Sequence, residues 1–210
     1  WATGWSITGW NFMASGLAEI ADLDARRAAI AAGTPEPISA LGWCRVTFRL
    51  TALVLSLALL VPLHYLYRVI HYGSPFPKLW LAIATRIVGA RVKIHGTPLR
   101  RDVLFISNHV SWVDILAIAG ASGTAFVSKA EAADVPVIGW LAKLNRTVFV
   151  SRENRLGVAQ QINALREALA DNWSITVFPE GTTTDGQSLL PFKTTLLRVL
   201  EPPPPGVLVQ

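Results

Sequence analysis

Asn108-His109-Val110-Ser111-Trp112-Val113-Asp114 follows the apolar run Val103-Leu104-Phe105-Ile106-Ser107 and continues into Ile115-Leu116-Ala117-Ile118. A β-rich run that stops at a polar Asn-His pair and then restarts predicts a strand, a tight loop and a helix. His109 then lies on the loop, and Asp114 in the first helical turn. A spacing of five does not put two residues on one face of a single helix, but a loop residue can fold back over that turn, so the two side chains can touch. A carboxylate behind an imidazole fixes its tautomer and holds it ready as a general base near neutral pH. Backbone N–H groups at the helix start also disfavour an imidazolium. The same letters fit a capping box, with Ser111 as N-cap and Asp114 reaching back to it, which would make Asp114 structural.

Outward from this stretch, the chain from Arg91 onward reads as α/β. Val92-Lys93-Ile94-His95 alternates like a strand, Gly96-Thr97-Pro98 turns, and Val103 to Ser107 leads into the central loop. Thr124 to Ser128, Thr147 to Val150 and Ser174 to Phe178 are further strands. Helices are predicted from Val137 to Leu144 and from Leu156 to Asn172, the latter with apolar residues at 158, 162, 165 and 169. Pro202 to Pro205 reads as a rigid surface connector. Gly206 to Gln210 looks like a strand cut short.

The preceding half is different. Eighteen residues between Arg49 and Arg68 carry no Asp, Glu, Lys or Arg. A helix of that length just reaches across a hydrocarbon core, although Pro62 and His64 weaken it as a span. His71-Tyr72-Gly73-Ser74-Pro75 marks a turn, and an apolar stripe at Trp80, Ile83, Ala84, Ile87 and Val88 follows. Basic residues flank both segments, so the positive-inside rule picks no orientation. The simplest accommodation is a helical hairpin in one leaflet with both ends on the cytoplasmic side; a buried helical pair is the alternative. Residues 13 to 41 predict a short helix and a linker. Met13 is the single methionine and opens a credible start, so residues 1 to 12 are set aside as upstream translation or an expression remnant.

This gives three expected regions: 1–44 as extension and linker, 45–90 as a membrane-associating helical hairpin, and 91–210 as an α/β domain. The hydrophobic share of 51% and mean hydropathy of +0.40 agree with a membrane-contacting portion. A net charge of +5 suits anionic headgroups, phosphate-bearing substrates or nucleic acid. Nucleic acid is the weakest of these, because no zinc-finger spacing, aromatic RNA-binding signature or dense basic tract is present. Cys44 is the only cysteine, which excludes an internal disulfide and fits a reducing compartment.

Polar clusters recur after strands, where α/β domains place their sites. Ser151-Arg152-Glu153-Asn154-Arg155 follows one strand, and Pro179-Glu180-Gly181-Thr182-Thr183-Thr184-Asp185-Gly186 follows the next. Arg152 could grip a phosphate with its forked donors, or stand as a solvated arginine. Gly181 allows close approach of backbone to a ligand, and the threonine hydroxyls can bond phosphate or glycerol oxygens; a plain polar turn is the alternative reading.

Asn108-His109 with Asp114, then Phe149-Val150-Ser151-Arg152, then Phe178-Pro179-Glu180-Gly181-Thr182, in this order, resemble the first three motifs of the 1-acyl-sn-glycerol-3-phosphate acyltransferase family. Lys129, Pro136 and Gly139 are similar to the stretch before the second motif. The resemblance runs from about residue 91 to the end and extends to bacterial lyso-ornithine lipid acyltransferases through Thr147 to Val150 and Thr183 to Gly186. It implies a mixed, largely parallel sheet wrapped by helices, preceded by a membrane-binding helical pair. It further implies His109 as general base, Asp114 as its orienting partner and Arg152 as a phosphate ligand. Glu180, Gly181 and Thr182 would shape the acceptor site, with Lys129 and Lys193 as weaker phosphate candidates. Ser151 stands where an acidic residue is common, Arg146 near an expected glycine, and the fourth motif is incomplete at Val207 to Gln210. These departures bear on the acceptor more than on the reaction.

The implied reaction moves a fatty acyl chain from acyl-CoA or acyl carrier protein to a lysolipid hydroxyl, with 1-acyl-sn-glycerol-3-phosphate ahead of lyso-ornithine lipid as acceptor. No metal and no cofactor beyond the acyl donor is expected. The expected location is the cytoplasmic face of a bacterial inner membrane. Two other classes remain: a hydrolase, with water or Ser111 replacing the lipid hydroxyl, and a non-catalytic lipid-binding domain. The second is disfavoured because His109, Arg152 and Glu180 all fall at strand ends.

Overall fold

Ser39 caps a long helix: its Oγ accepts the N–H of Gly42 at 3.1 Å. That helix, α1, runs Ala40–Ile70 and contains Pro62. The computed structural model describes residues 38–71, 73–97, 99, 101–150, 157–171, 174–184 and 186–210. The helix and linker expected over 13 to 41 thus fall almost wholly outside the described residues. The chain divides into two units, Trp1–Phe48 and Arg49–Gln210. The second contains everything that follows.

After α1 come α2 (Phe76–Ile87), β1 (Val103–Ile106), α3 (Val113–Ser122), β2 (Ala125–Lys129), a 3-10 turn (Ala130–Ala133), α4 (Ile138–Leu144), β3 (Val148–Val150), α5 (Gly157–Ala170), β4 (Ile175–Val177), a second 3-10 segment (Thr194–Leu200) and β5 (Leu208–Val209). The strands form one sheet in the order β3-β2-β4-β1-β5. The pairings among the described residues are parallel: β1 with β4 and β5, and β2 with β3 and β4. The fold class is therefore α/β, a parallel sheet flanked by helices.

Alternation along the strands sends neighbouring side chains to opposite faces. Leu104, Ala125, Ile175 and Val177 pack with Leu165, Ala168 and Leu169 of α5 and Val199 on one face. Phe126 packs with Leu81 of α2 and Ala119 of α3 on the other. Sandwiching both faces explains why the strands read as continuous apolar runs.

Two expectations changed. Val92-Lys93-Ile94-His95 is not a strand but irregular, exposed chain. None of the strand pairings among the described residues includes it, and alternation without a partner strand cannot satisfy the backbone. The expected strand at the C-terminal end does form, but only over Leu208–Val209.

The two apolar helices also differ. Leu81, Ala84 and Thr85 of α2 are buried, and Gly120 of α3 lies so close to Ala82 that a Cβ there would collide with its backbone. In α1 only Leu60 and His64 are buried, while Val54, Leu55 and Leu59 stay about two-thirds exposed. By length and composition α1 is long enough to cross a membrane.

Candidate active site

Parallel strands leave their C-terminal ends on one edge of the sheet, and β1 and β4 are neighbours. The loops following them therefore meet, which is how residues about seventy apart in sequence come together. Ser107 N–H donates to Val177 O at 3.2 Å, closing the last rung, and Thr184 N–H donates to His109 O at 2.8 Å.

Within the first loop, His109 Nδ1 lies 2.9 Å from Asp114 Oδ2. A carboxylate oxygen only accepts, so Nδ1 carries a hydrogen, and in the neutral ring the lone pair is on Nε2. The same Oδ2 accepts the N–H groups of Val110 at 2.7 Å and Ser111 at 2.9 Å. Ser111 Oγ in turn accepts the N–H of Val113 at 3.2 Å. The capping box and the His-Asp pair are thus not alternatives: one carboxylate oxygen takes part in both. Burial pushes the Asp114 carboxyl up, but the Ser111 and Val110 N–H groups and then His109 outweigh it and hold it below the ordinary aspartate value.

Among the described residues Glu180 is the most buried acid, at 1% exposure. Its Oε1 accepts the N–H of His109 at 3.1 Å, and its Oε2 accepts the N–H of Leu190 at 3.2 Å. It ties the two loops together through their backbone. Gly181, at φ +71°, makes the turn that follows. Gly139 answers a different need: a Cβ there would run into the Ala133 carbonyl, so glycine lets α4 close against the 3-10 turn.

His109 lines a cavity of about 960 Å³ together with Lys129, Gly181, Thr182 and Thr183. The remaining walls are largely apolar, from Leu50, Leu53, Leu57 and Leu60 of α1, Phe76 and Trp80 of α2, Trp112 and Ile115 near the His loop, and Ile138 and Leu141 of α4. Of the residues singled out from sequence, His109, Asp114 and Glu180 are brought together, and Lys129, Gly181 and Thr182 share the cavity wall with His109. Lys193 is exposed and outside that wall, its backbone N–H donating to Pro179 O at 2.8 Å. Arg152, with the rest of 151–156, lies outside the described residues.

A contact the sequence did not suggest is the stack of Phe178 on the His109 ring, with centroids 4.1 Å apart and planes 13° apart. Phe178 opens the Phe178-Pro179-Glu180-Gly181-Thr182 motif, yet at the end of an apolar run it reads only as core.

With this geometry in view, residues 91–207 match the family model described as Acyltransferase. The chain belongs to the Acyltransferase family. Among similar proteins, the lyso-ornithine lipid O-acyltransferase of Rhizobium meliloti is 36% identical over 159 residues, covering 74% of this chain and 54% of that protein. The protein of the same description from Rhodobacter capsulatus is 43% identical over 114 residues, covering 54% and 41%. The crystal structure of the 1-acyl-sn-glycerophosphate acyltransferase from Thermotoga maritima is similar with a TM-score of 0.52 at 25% identity, covering 79% of this acyltransferase chain and 73% of that one. The chain spans about half the length of the curated relatives it matches.

Proposed function

We propose that the protein transfers a fatty acyl chain from a thioester, acyl-CoA or acyl carrier protein, to the free hydroxyl of a lysolipid. The observation that carries this is the His109–Asp114 pair, joined at 2.9 Å, with His109 opening onto an apolar cavity of about 960 Å³. An alcohol is a poor nucleophile near neutral pH, so its proton must leave as it attacks, and a neutral imidazole is matched to that task. The thioester already carries an activated carbonyl and a good leaving group, so no enzyme nucleophile is required. Nε2 takes the hydroxyl proton, the oxygen bonds to the carbonyl carbon, the C–S bond breaks, and the departing sulfur receives the proton back. The cavity holds apolar chains beside the base, which lowers the entropy cost of bringing the partners together.

Lyso-ornithine lipid and 1-acyl-sn-glycerol-3-phosphate are the two acceptors under consideration. The 36% and 43% identical relatives support the first, and the similar crystal structure supports the second. We place lyso-ornithine lipid ahead, reversing the order reached from the motifs alone. The exposed apolar face of α1 supports membrane association; the cytoplasmic face is our reading because acyl thioesters are made on that side. The full-length protein, offered both acceptors with one acyl-CoA, decides between them by the ratio of their kcat/KM values. His109→Ala is expected to lose roughly a hundred- to ten-thousandfold in turnover while still binding vesicles; undiminished turnover refutes the base.

A further inference from the structure

We propose that Phe178 is a positioning residue for His109: its ring fixes the plane of the imidazole and steadies the positive charge that the imidazole gains when it takes the acceptor proton. This rests on the reading of His109 as the base.

A hydrogen bond fixes a point rather than a plane. The ring of His109 is held at one edge atom, Nδ1, by Asp114, and the torsion that swings a histidine ring is broad. Turning about that single bond would swing Nε2 away from the substrate hydroxyl. The face of the ring is where the swing is blocked. Phe178 lies parallel to it at 4.1 Å, and Phe126 lies parallel behind Phe178 at 5.7 Å with planes 11° apart. Phe126 is 3% exposed and packs with Leu81 and Ala119. The stack therefore runs from the core of the domain to the base, and the rigidity of the core is passed to the imidazole.

The stack also has an electrostatic consequence. An aromatic face is negative, so it favours a cation lying against it. The imidazole becomes that cation at the moment the hydroxyl proton moves to Nε2. Asp114 acts on the same charge from the ring edge, and the buried Glu180 carboxylate from beneath through the His109 N–H. Lys129, on the wall of the same cavity, acts against it.

Mono-, di- and trifluorinated phenylalanine at position 178 keep the shape of the ring while draining its face of negative charge. In the full-length membrane-bound protein, with palmitoyl-CoA and 1-oleoyl-sn-glycerol-3-phosphate or lyso-ornithine lipid, kcat should fall stepwise, by roughly three- to tenfold over the series. The KM for the donor should hold. The acid limb of the pH profile, and the NMR titration midpoint of the His109 ring, should move together to lower pH. Phe178→Leu should lose at least as much in kcat, and Phe178→Tyr should recover most of it. A limb and a midpoint that stay put across the series, with any Phe178→Leu loss confined to KM or thermal stability, would overturn the proposal. His109→Ala keeps the two readings apart: retained turnover removes the base, and the NMR titration then decides the stack without reference to catalysis.

Discussion

The two sides of the cavity are built on different terms. At the strand ends, polar groups are matched atom to atom: Asp114 Oδ2 with three donors, Glu180 with two backbone N–H groups, and the His109 carbonyl with the N–H of Thr184. On the α1 and α2 side the wall is mostly leucine and aromatic carbon, with His64 Nδ1 and Ser74 Oγ 2.9 Å apart among its few polar contacts. Hydrogen bonds have narrow geometry, while apolar packing chiefly specifies volume. One side can hold a proton acceptor to a fraction of an ångström. The other can accommodate chains that differ by a methylene or two.

The largest break in this comparison is expected at Asp114. Asp114→Ala removes the acceptor for Nδ1 and for two loop N–H groups at once, and turnover should drop roughly a thousandfold or more. Asp114→Asn separates the two duties of that oxygen. Its amide oxygen can still accept the Val110 and Ser111 N–H groups, so the melting temperature should stay near that of the parent, while the neutral group no longer stabilises an imidazolium and turnover falls. Equal turnover in parent and Asp114→Asn would show that capping is the whole role of the residue. The pH dependence has a definite sign. A carboxyl held below its ordinary value contributes stability that is complete above the unfolded aspartate value, about 3.9, and is lost as pH falls through the lower folded value. The stability gap between parent and Asp114→Ala should therefore be flat above that pH and close only in stronger acid, read by thermal melts across pH.

A smaller effect on turnover is expected at Glu180. Glu180→Ala leaves the partly buried N–H groups of His109 and Leu190 without their acceptor, costing at most about 1–3 kcal/mol for each. Glu180→Gln keeps one acceptor oxygen and should cost less. Turnover should follow the same order, falling by tens of fold in the alanine variant as the His loop drifts. Melting temperatures and single-turnover rates of the two variants check this. An alanine variant as stable as the glutamine variant would mean that the carboxylate does not clamp the loops.

How much of this was legible follows the same division. The polar side depends on local chemistry that leaves letters behind: a His and an Asp around a helix start, and a Pro-Glu-Gly turn after a strand. The apolar side leaves only composition. The stripe in 76–92 showed a helix, but nothing in it showed that α2 would bury Leu81 and Ala84 while α1 kept most of its side chains exposed. Val92 to His95 failed because alternation records which side chains face inward and says nothing about whether an edge is free to pair with. Phe178 reads in the sequence only as the end of an apolar run, because stacking on a ring 69 positions away has no sequence period.

The apolar side is sharpened by substitutions that discriminate between the faces of α1. Leu53, Leu57 and Leu60 line the cavity, while Leu55 and Leu59 point away and are 64% and 65% exposed. In detergent, Leu55→Ser with Leu59→Ser should leave kcat and KM within about twofold, since neither touches the cavity or the loops. Bound to vesicles, the pair should lose affinity by roughly tenfold or more, because each leucine withdrawn from lipid forfeits about 1 kcal/mol or more of burial. Leu57→Ser should do the reverse, raising KM for a long-chain donor and leaving vesicle binding nearly unchanged. Co-sedimentation with anionic vesicles and donor KM, measured on the same preparations, give the two readouts. If both sets of variants lost the same property, α1 would have a single function around its whole circumference, and the division between a chain-binding face and a lipid-contacting face would fail.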